Sequence, residues 1–185
     1  IVIGSGIEVA QEREAEQQVI TFAAAPMRDF YLVGSERYTV VSQTVGETTV
    51  NSYTLDDLTE VGEEALEIAV NALKLFNERI GAYPFTELDM AVTPNLALGI
   101  EYPGVIVITL RLYEPEGTNP NPQTKTYLEA TVAHEVGHQW FYSTVGNDQL
   151  DEPWLDESLT QYITYLYYED SYGSGEGFYQ SLDQR

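Results

Sequence analysis

The chain holds two histidines, and they stand four positions apart within ATVAHEVGHQWF, residues 130–141, with a glutamate directly after the first. No other feature constrains the fold as much. On a helix, positions i and i+4 lie about 40° apart around the axis and one turn along it, so the rings of His134 and His138 can reach one ion. Glu135 sits near enough to hold a water at that ion without becoming a ligand. His-Glu-x-x-His therefore reads as two zinc ligands, His134 and His138, with a general base, Glu135. A helix from about 126 to 143 is expected to carry them, opened by a capping box of Thr126 with Glu129 and closed before Gly146.

Two nitrogens do not complete a catalytic zinc site, which takes three protein ligands and leaves a position open for water. Downstream, DEPWLDESLTQYITYLYYEDSYG reads as a second helix. Asp151 can cap it, Pro153 suits its first turn, and Leu155, Leu159, Tyr162, Ile163 and Leu166 supply an apolar stripe before Gly173. Glu157 falls in its first turns, with eighteen residues between it and His138. That gap fits the end of one helix, a turn and an antiparallel return that aims the carboxylate at the metal. Alone, Glu157 would be an exposed helix glutamate; beside the histidine pair it reads as the third ligand.

The rest of the chain supplies a scaffold. RYTVVSQTV and ETTVNSYTL alternate in polarity about Gly46 and predict a β-hairpin. From 57 to 80, Leu66, Ala69, Val70, Leu73 and Phe76 recur at three- and four-residue intervals, which predicts a long amphipathic helix stopped at Gly81. FTELDMAVT and GVIVITL read as strands, the second apolar throughout and so buried. EPEGTNPNPQTKT reads as a loop.

Charge excludes some partners. Thirty Asp and Glu stand against eight Lys and Arg, a formal net charge of -22, and the isoelectric point is near 4.1. Such a surface repels nucleic acid and anionic membranes, and suits an extracytoplasmic or high-salt setting. There is no cysteine, hence no disulfide framework and no thiolate metal site. No apolar run approaches the roughly 18 residues of a membrane span. The opening IVIGSGIEVAQ lacks the basic region of a signal peptide, and the ending GFYQSLDQR closes without a stop signal, so a piece of a longer chain is expected.

Together HEVGHQW, the eighteen-residue gap and PWLDESLTQY resemble the M1 family of zinc aminopeptidases, within the gluzincins. LGIEYPGVIVI also matches, in part, that family's Gly-Ala-Met-Glu-Asn motif with its trailing Pro-Gly, departing at Leu98 and Ile100. The resemblance puts the family's amine-binding glutamate on Glu101, which without it would be merely an acidic loop residue. It makes Gly99 and Tyr102 substrate-binding candidates from the same motif. It implies an α+β fold: a mixed sheet over two zinc-bearing helices, the upper lobe of a thermolysin-like catalytic domain, over 41–185. Residues 1–40 would be the end of an N-terminal β-domain.

The function so implied is removal of N-terminal amino acids from peptides with a free N-terminus, with one zinc ion per chain. Two alternatives stand beside it: a zinc endopeptidase of the same helix type, and a non-catalytic zinc- or peptide-binding fragment. The family's oxyanion-stabilising tyrosine is expected beyond Arg185, which would leave a chain ending there slow. Tyr172 and Tyr179 lie too near Glu157 to take that part and read as packing residues. Gln161 and Asp156 are candidates to orient the ligands. Side-chain preference and oligomeric state stay open at this level.

Overall fold

In the computed structural model, which describes residues 1–55, 58–114 and 124–173, the expected hairpin and long helix both form. At the N-terminus, β1 (Val2–Gly4) pairs with β4 (Leu32–Gly34), and β2 (Ile7–Glu14) with β3 (Gln17–Ala23), both antiparallel. Next, β5 (Tyr38–Val45) and β6 (Thr48–Leu55) fold back on each other about Gly46, whose φ of 62° is one that glycine adopts freely. The helix α1 (Thr59–Arg79) then crosses to β7 (Glu87–Thr93), which lies parallel to β6. A parallel pair needs such a crossover, since no tight turn can make one.

The sheet is completed by β8 (Gly99–Tyr102) and β9 (Val105–Thr109), in the order β5-β6-β7-β9-β8, so β8 is an edge strand. Among the described residues only β9 pairs with β8, antiparallel, with Glu101 opposite Ile106. A 3-10 turn, Leu110–Leu112, follows β9. The last two elements among the described residues are α2 (Thr124–Gly137) and α3 (Trp154–Tyr172). The class is thus mixed α and β: a five-stranded mixed sheet with three helices among the described residues. No helix among these residues is long and apolar enough to cross a membrane.

Strand alternation explains how the sheet sits. Leu88, Met90, Val92, Ile106 and Ile108 join one core with residues of all three helices. Ala91, Val105 and Val107 face the other way, onto Ile3 and Tyr38. With helices on one face and the N-terminal segment on the other, all five residues of β9 are buried, which is why the run reads as continuously apolar. On α1, Leu66, Ala69, Val70, Leu73 and Phe76 are all buried as the spacing predicts. A fully buried Leu or Phe contributes about 1.5–3 kcal/mol, so this one stripe anchors the helix layer.

Three expectations about the two helices that carry the candidate metal ligands need correction. Thr126 lies inside α2 and cannot cap it; Glu129 instead accepts hydrogen bonds from the Tyr167 and Tyr172 hydroxyls. The helix also ends at Gly137 rather than near 143. Beyond it the backbone tightens to three-residue bonds, Gln139 N to Val136 O and Trp140 N to Gly137 O, before Tyr142 takes a φ of 141° that no helix accommodates. On α3, Pro153 occupies the capping position without a side-chain cap, and Asp151 does not cap.

The apolar stripe of α3 is borne out in part: Ile163 is buried and Leu166 packs against the core. Leu159 and Tyr162 are exposed, while Asp156, Thr160, Ile163, Thr164, Tyr167 and Tyr168 are buried. At its closest point α3 meets α2 at Gly137, whose missing side chain leaves room for Thr160 and Ile163. Tyr167 and Tyr168 are buried, whereas Tyr172, expected to pack, is exposed, and Tyr179 and most of the EPEGTNPNPQTKT loop lie outside the described residues.

Candidate metal centre

Near the end of α2 the geometry anticipated from spacing is present. His134 Nε2 and His138 Nε2 stand 3.1 Å apart, and Glu157 Oε2, from the first turn of α3, lies 3.2 Å from the first and 3.8 Å from the second. Nitrogen and oxygen ligands 2.0–2.2 Å from a tetrahedral zinc stand about 3.3–3.6 Å from one another. The three observed separations bracket that range, so the donor set suits zinc in kind and in size.

Proton placement agrees. The Nδ1 of His138 is 3.0 Å from the Phe141 carbonyl, which can only accept, so that nitrogen carries the hydrogen and Nε2 keeps its lone pair for a metal. The Thr160 hydroxyl, 3.1 Å from the same Nδ1, fixes the ring from α3. Burial, and then the neighbouring His134, push the His138 pKa below its usual value, which keeps the ring neutral and ready to ligate.

Glu135 is 5% exposed. Burial, and then Glu101 and Glu157, raise its pKa well above the usual carboxylate range. Its Oε2 has no hydrogen-bond partner among the described residues. A buried carboxylate oxygen without a partner is costly, and a bound water beside a dication would satisfy it.

Glu101 comes to the same place from β8. One carboxylate oxygen from it, one from Glu135 and a nitrogen of His138 lie within 4.8 Å of each other. Gly99, two residues back on the strand, lies against Glu135: a β-carbon there would collide with Glu135 Oε1. Tyr102 differs from its neighbours. Its ring packs in the cluster on the opposite face of the sheet, stacked on Tyr31 at 4.1 Å, and only its backbone faces the helices. A cavity of about 350 Å³ opens beside His134, Glu135 and Gly99, walled by Tyr127, Thr164 and Tyr168.

Other side chains gather around these. Asp156 is buried and accepts three hydrogen bonds, from Asn147 Nδ2 and the Glu157 backbone N–H at 3.1 Å and from Gln149 Nε2 at 2.7 Å. Through these bonds it holds the turn that presents Glu157. Gln161 lines the cavity instead. Asn147, Gln149 and Gln139 carried no signal beyond being amides near a motif. The loop that holds them is stapled by Arg28, which donates to the Tyr142 and Asn147 carbonyls at 3.2 Å, while the Tyr142 hydroxyl donates to Asp29.

Known proteins match this chain over most of its length. The Peptidase family M1 domain matches residues 64–184. Aminopeptidase M1-B of Oryza sativa subsp. japonica is 30% identical over 175 residues, 90% of this chain and 20% of its own. Aminopeptidase N of Acetobacter pasteurianus is 30% identical over 155 residues, 80% and 43% respectively. Aminopeptidase 2 of Candida albicans is 28% identical over 158 residues, 82% and 17%. The chain thus spans less than half the length of each of these relatives. With the family domain covering both helices of the metal centre and the edge strand beside them, the chain belongs to peptidase family M1.

Proposed function

We propose that this chain is the zinc-bearing part of an aminopeptidase that removes the N-terminal residue from peptides. The observation that carries the proposal is the convergence of His134, His138 and Glu157 on one point, with a buried, unsatisfied Glu135 and the carboxylate of Glu101 beside it. In this reading residues 41–185 belong to the upper lobe of a thermolysin-like catalytic domain and residues 1–40 to the end of an N-terminal β-domain.

His134, His138 and Glu157 would hold the ion. When bound, zinc supplies Lewis-acid polarisation and brings the pKa of water from 15.7 to about 7. Glu135, whose proton is held by burial first and then by Glu101 and Glu157, would regain basic character at neutral pH with the ion in place. Glu135 takes the proton of the attacking water and passes it to the departing amine. Glu101 binds the substrate's α-ammonium, which fixes the first peptide bond over the centre and directs cleavage to the chain end. Residues beyond the scissile bond have room in the cavity between β8 and α3.

The test compares free aminoacyl substrates with their N-acetylated forms in the full-length protein. Free substrates should be cleaved at least about tenfold faster, the share of a charge-assisted hydrogen bond, and Glu101→Ala should erase most of that preference. Equal rates on both substrates in the unaltered protein would favour an endopeptidase.

A further inference from the structure

Glu101 sits one residue before a tight turn, and that turn is held from outside its own hairpin. Tyr102, Pro103, Gly104 and Val105 join β8 to β9 with Gly104 at a φ of 76°, the pattern of a type II turn with proline first and glycine second. Such a turn twists against its flanking strands, so two-residue hairpins usually choose the mirror-image types. Support must come from elsewhere: the Asp89 N–H of β7 donates to the Gly104 carbonyl at 2.9 Å, and Gln139 supplies the rest. Its amide is fully buried. Nε2 donates to the Tyr102 carbonyl at 3.0 Å and Oε1 accepts from the Gly104 N–H at 2.9 Å, so one side chain grips both ends of the turn. Gln139 itself directly follows His138.

A second amide acts on the carboxylate. Gln149, in the connector between α2 and α3, donates through Nε2 to Asp156 Oδ2 at 2.7 Å and to Glu101 Oε1 at 3.4 Å. Asp156 immediately precedes Glu157 and accepts its backbone N–H. Glu101 is therefore tied by its following backbone to the residue next to one histidine, and by its side chain to the residue next to the glutamate ligand.

We propose that Gln139 and Gln149 are positioning residues that set the distance between Glu101 and the metal centre, and so determine how well the enzyme recognises a free amine. The inference rests on the aminopeptidase reading above. Neither glutamine touches the reacting atoms. Each ties Glu101 to the α2–α3 unit, so a change in either should let the edge strand drift while zinc stays bound. A misplacement of about 1 Å can cost on the order of a hundredfold where geometry is strict.

The experiment uses the full-length protein with Gln139→Met and Gln149→Met, which keep side-chain length and remove the amide. For each, kcat and KM are measured on a free aminoacyl anilide and its N-acetyl counterpart, with zinc content alongside. Expected is a loss of about tenfold or more in the free-to-acetylated ratio of kcat/KM, carried on the free substrate, with zinc near one per chain and the acetylated rate unchanged. A merely structural role would lower both substrates together or lower zinc, and that result overturns the proposal. Should Gln139→Met fail to fold, the half-buried Gln149→Met decides: an unchanged ratio overturns the proposal and a reduced one supports it. If the unaltered protein shows no preference for free amines, the aminopeptidase reading itself fails, which is told apart by being seen before any substitution.

Discussion

A β-carbon on Gly137 would stand 2.9 Å from Ile163 Cδ1 and equally near Thr160 Cγ2. The glycine between Glu135 and His138 is thus where α3 lies down on α2, and the approach brings Glu157 within reach of both histidines. Thr160, at the same contact, also meets His138 Nδ1. Packing and ligand geometry are one feature here.

It follows that Gly137→Val should harm the metal centre from a position that ligates nothing. Overpacking a tight contact costs about 1–3 kcal/mol, and the relief available to this pair is for α3 to move outward, taking Glu157 with it. Thermal unfolding should shift down, and zinc affinity in competition with a chelator should fall. A variant that unfolds earlier yet holds zinc as tightly as the unaltered chain would show that the helix contact does not set the ligand geometry.

Replacing a ligand is a sharper test of the centre itself. His138→Ala and Glu157→Ala should each lose most of the zinc measured by elemental analysis of protein purified without chelator, against about one ion per chain before substitution. Chelation should also lower the melting temperature of the unaltered protein, because a ligand that binds only the folded state stabilises it by mass action. Full zinc content in both variants would refute the assignment.

Glu135 should behave in the opposite way. As a base and not a ligand, it can be changed to glutamine with zinc retained and hydrolysis reduced by at least about a hundredfold, since an amide cannot accept the water's proton. The amide also settles more easily into a site where the carboxyl is already pushed toward its neutral form. Glu135→Gln should then be at least as stable as the original when both are freed of metal, read as melting temperature in excess chelator.

The parts of this molecule that could be read from residues alone are those governed by short-range rules. Spacing placed α1, and the approach of His134 to His138, because one helical turn fixes both. The hairpin about Gly46 and the buried run of β9 followed from alternation and from unbroken apolarity. What escaped was decided by contacts distant in sequence. The inner face of α3 carries Thr160 and Ile163, set against Gly137, while Leu159 and Tyr162 face outward. The early end of α2 depends on the Tyr142 backbone and on what Gln139 grips across the gap to β8. Tyr102 shares a motif with Glu101 yet points its ring to the other face, the ordinary result of strand alternation.

Away from the metal centre, Asp89 offers a prediction about pH. It is a buried carboxyl in the middle of the sheet, 5% exposed, accepting a hydrogen bond from Asn51 Nδ2 at 2.8 Å. Burial raises its pKa to about 7, the Asn51 bond opposes this, and Glu87 adds to it. In the unfolded chain the group titrates near 3.8, so the folded state holds its proton more tightly. The corresponding stability is complete below about pH 4 and is lost as pH rises through about 7, because the folded chain must then either retain an unfavourable proton or bury a charge. At about 1.4 kcal/mol per pKa unit the difference amounts to about 4 kcal/mol. Asp89→Asn keeps an oxygen for Asn51 and removes the titration. The variant should therefore melt higher than the original at pH 8, and the gap should close as pH falls to 4. Other raised carboxyls, Glu87 and Glu135 among them, act in the same direction in both proteins and cancel in the comparison. A constant gap across that range would mean that Asp89 stays charged in the folded chain, held by Asn51 in spite of its burial.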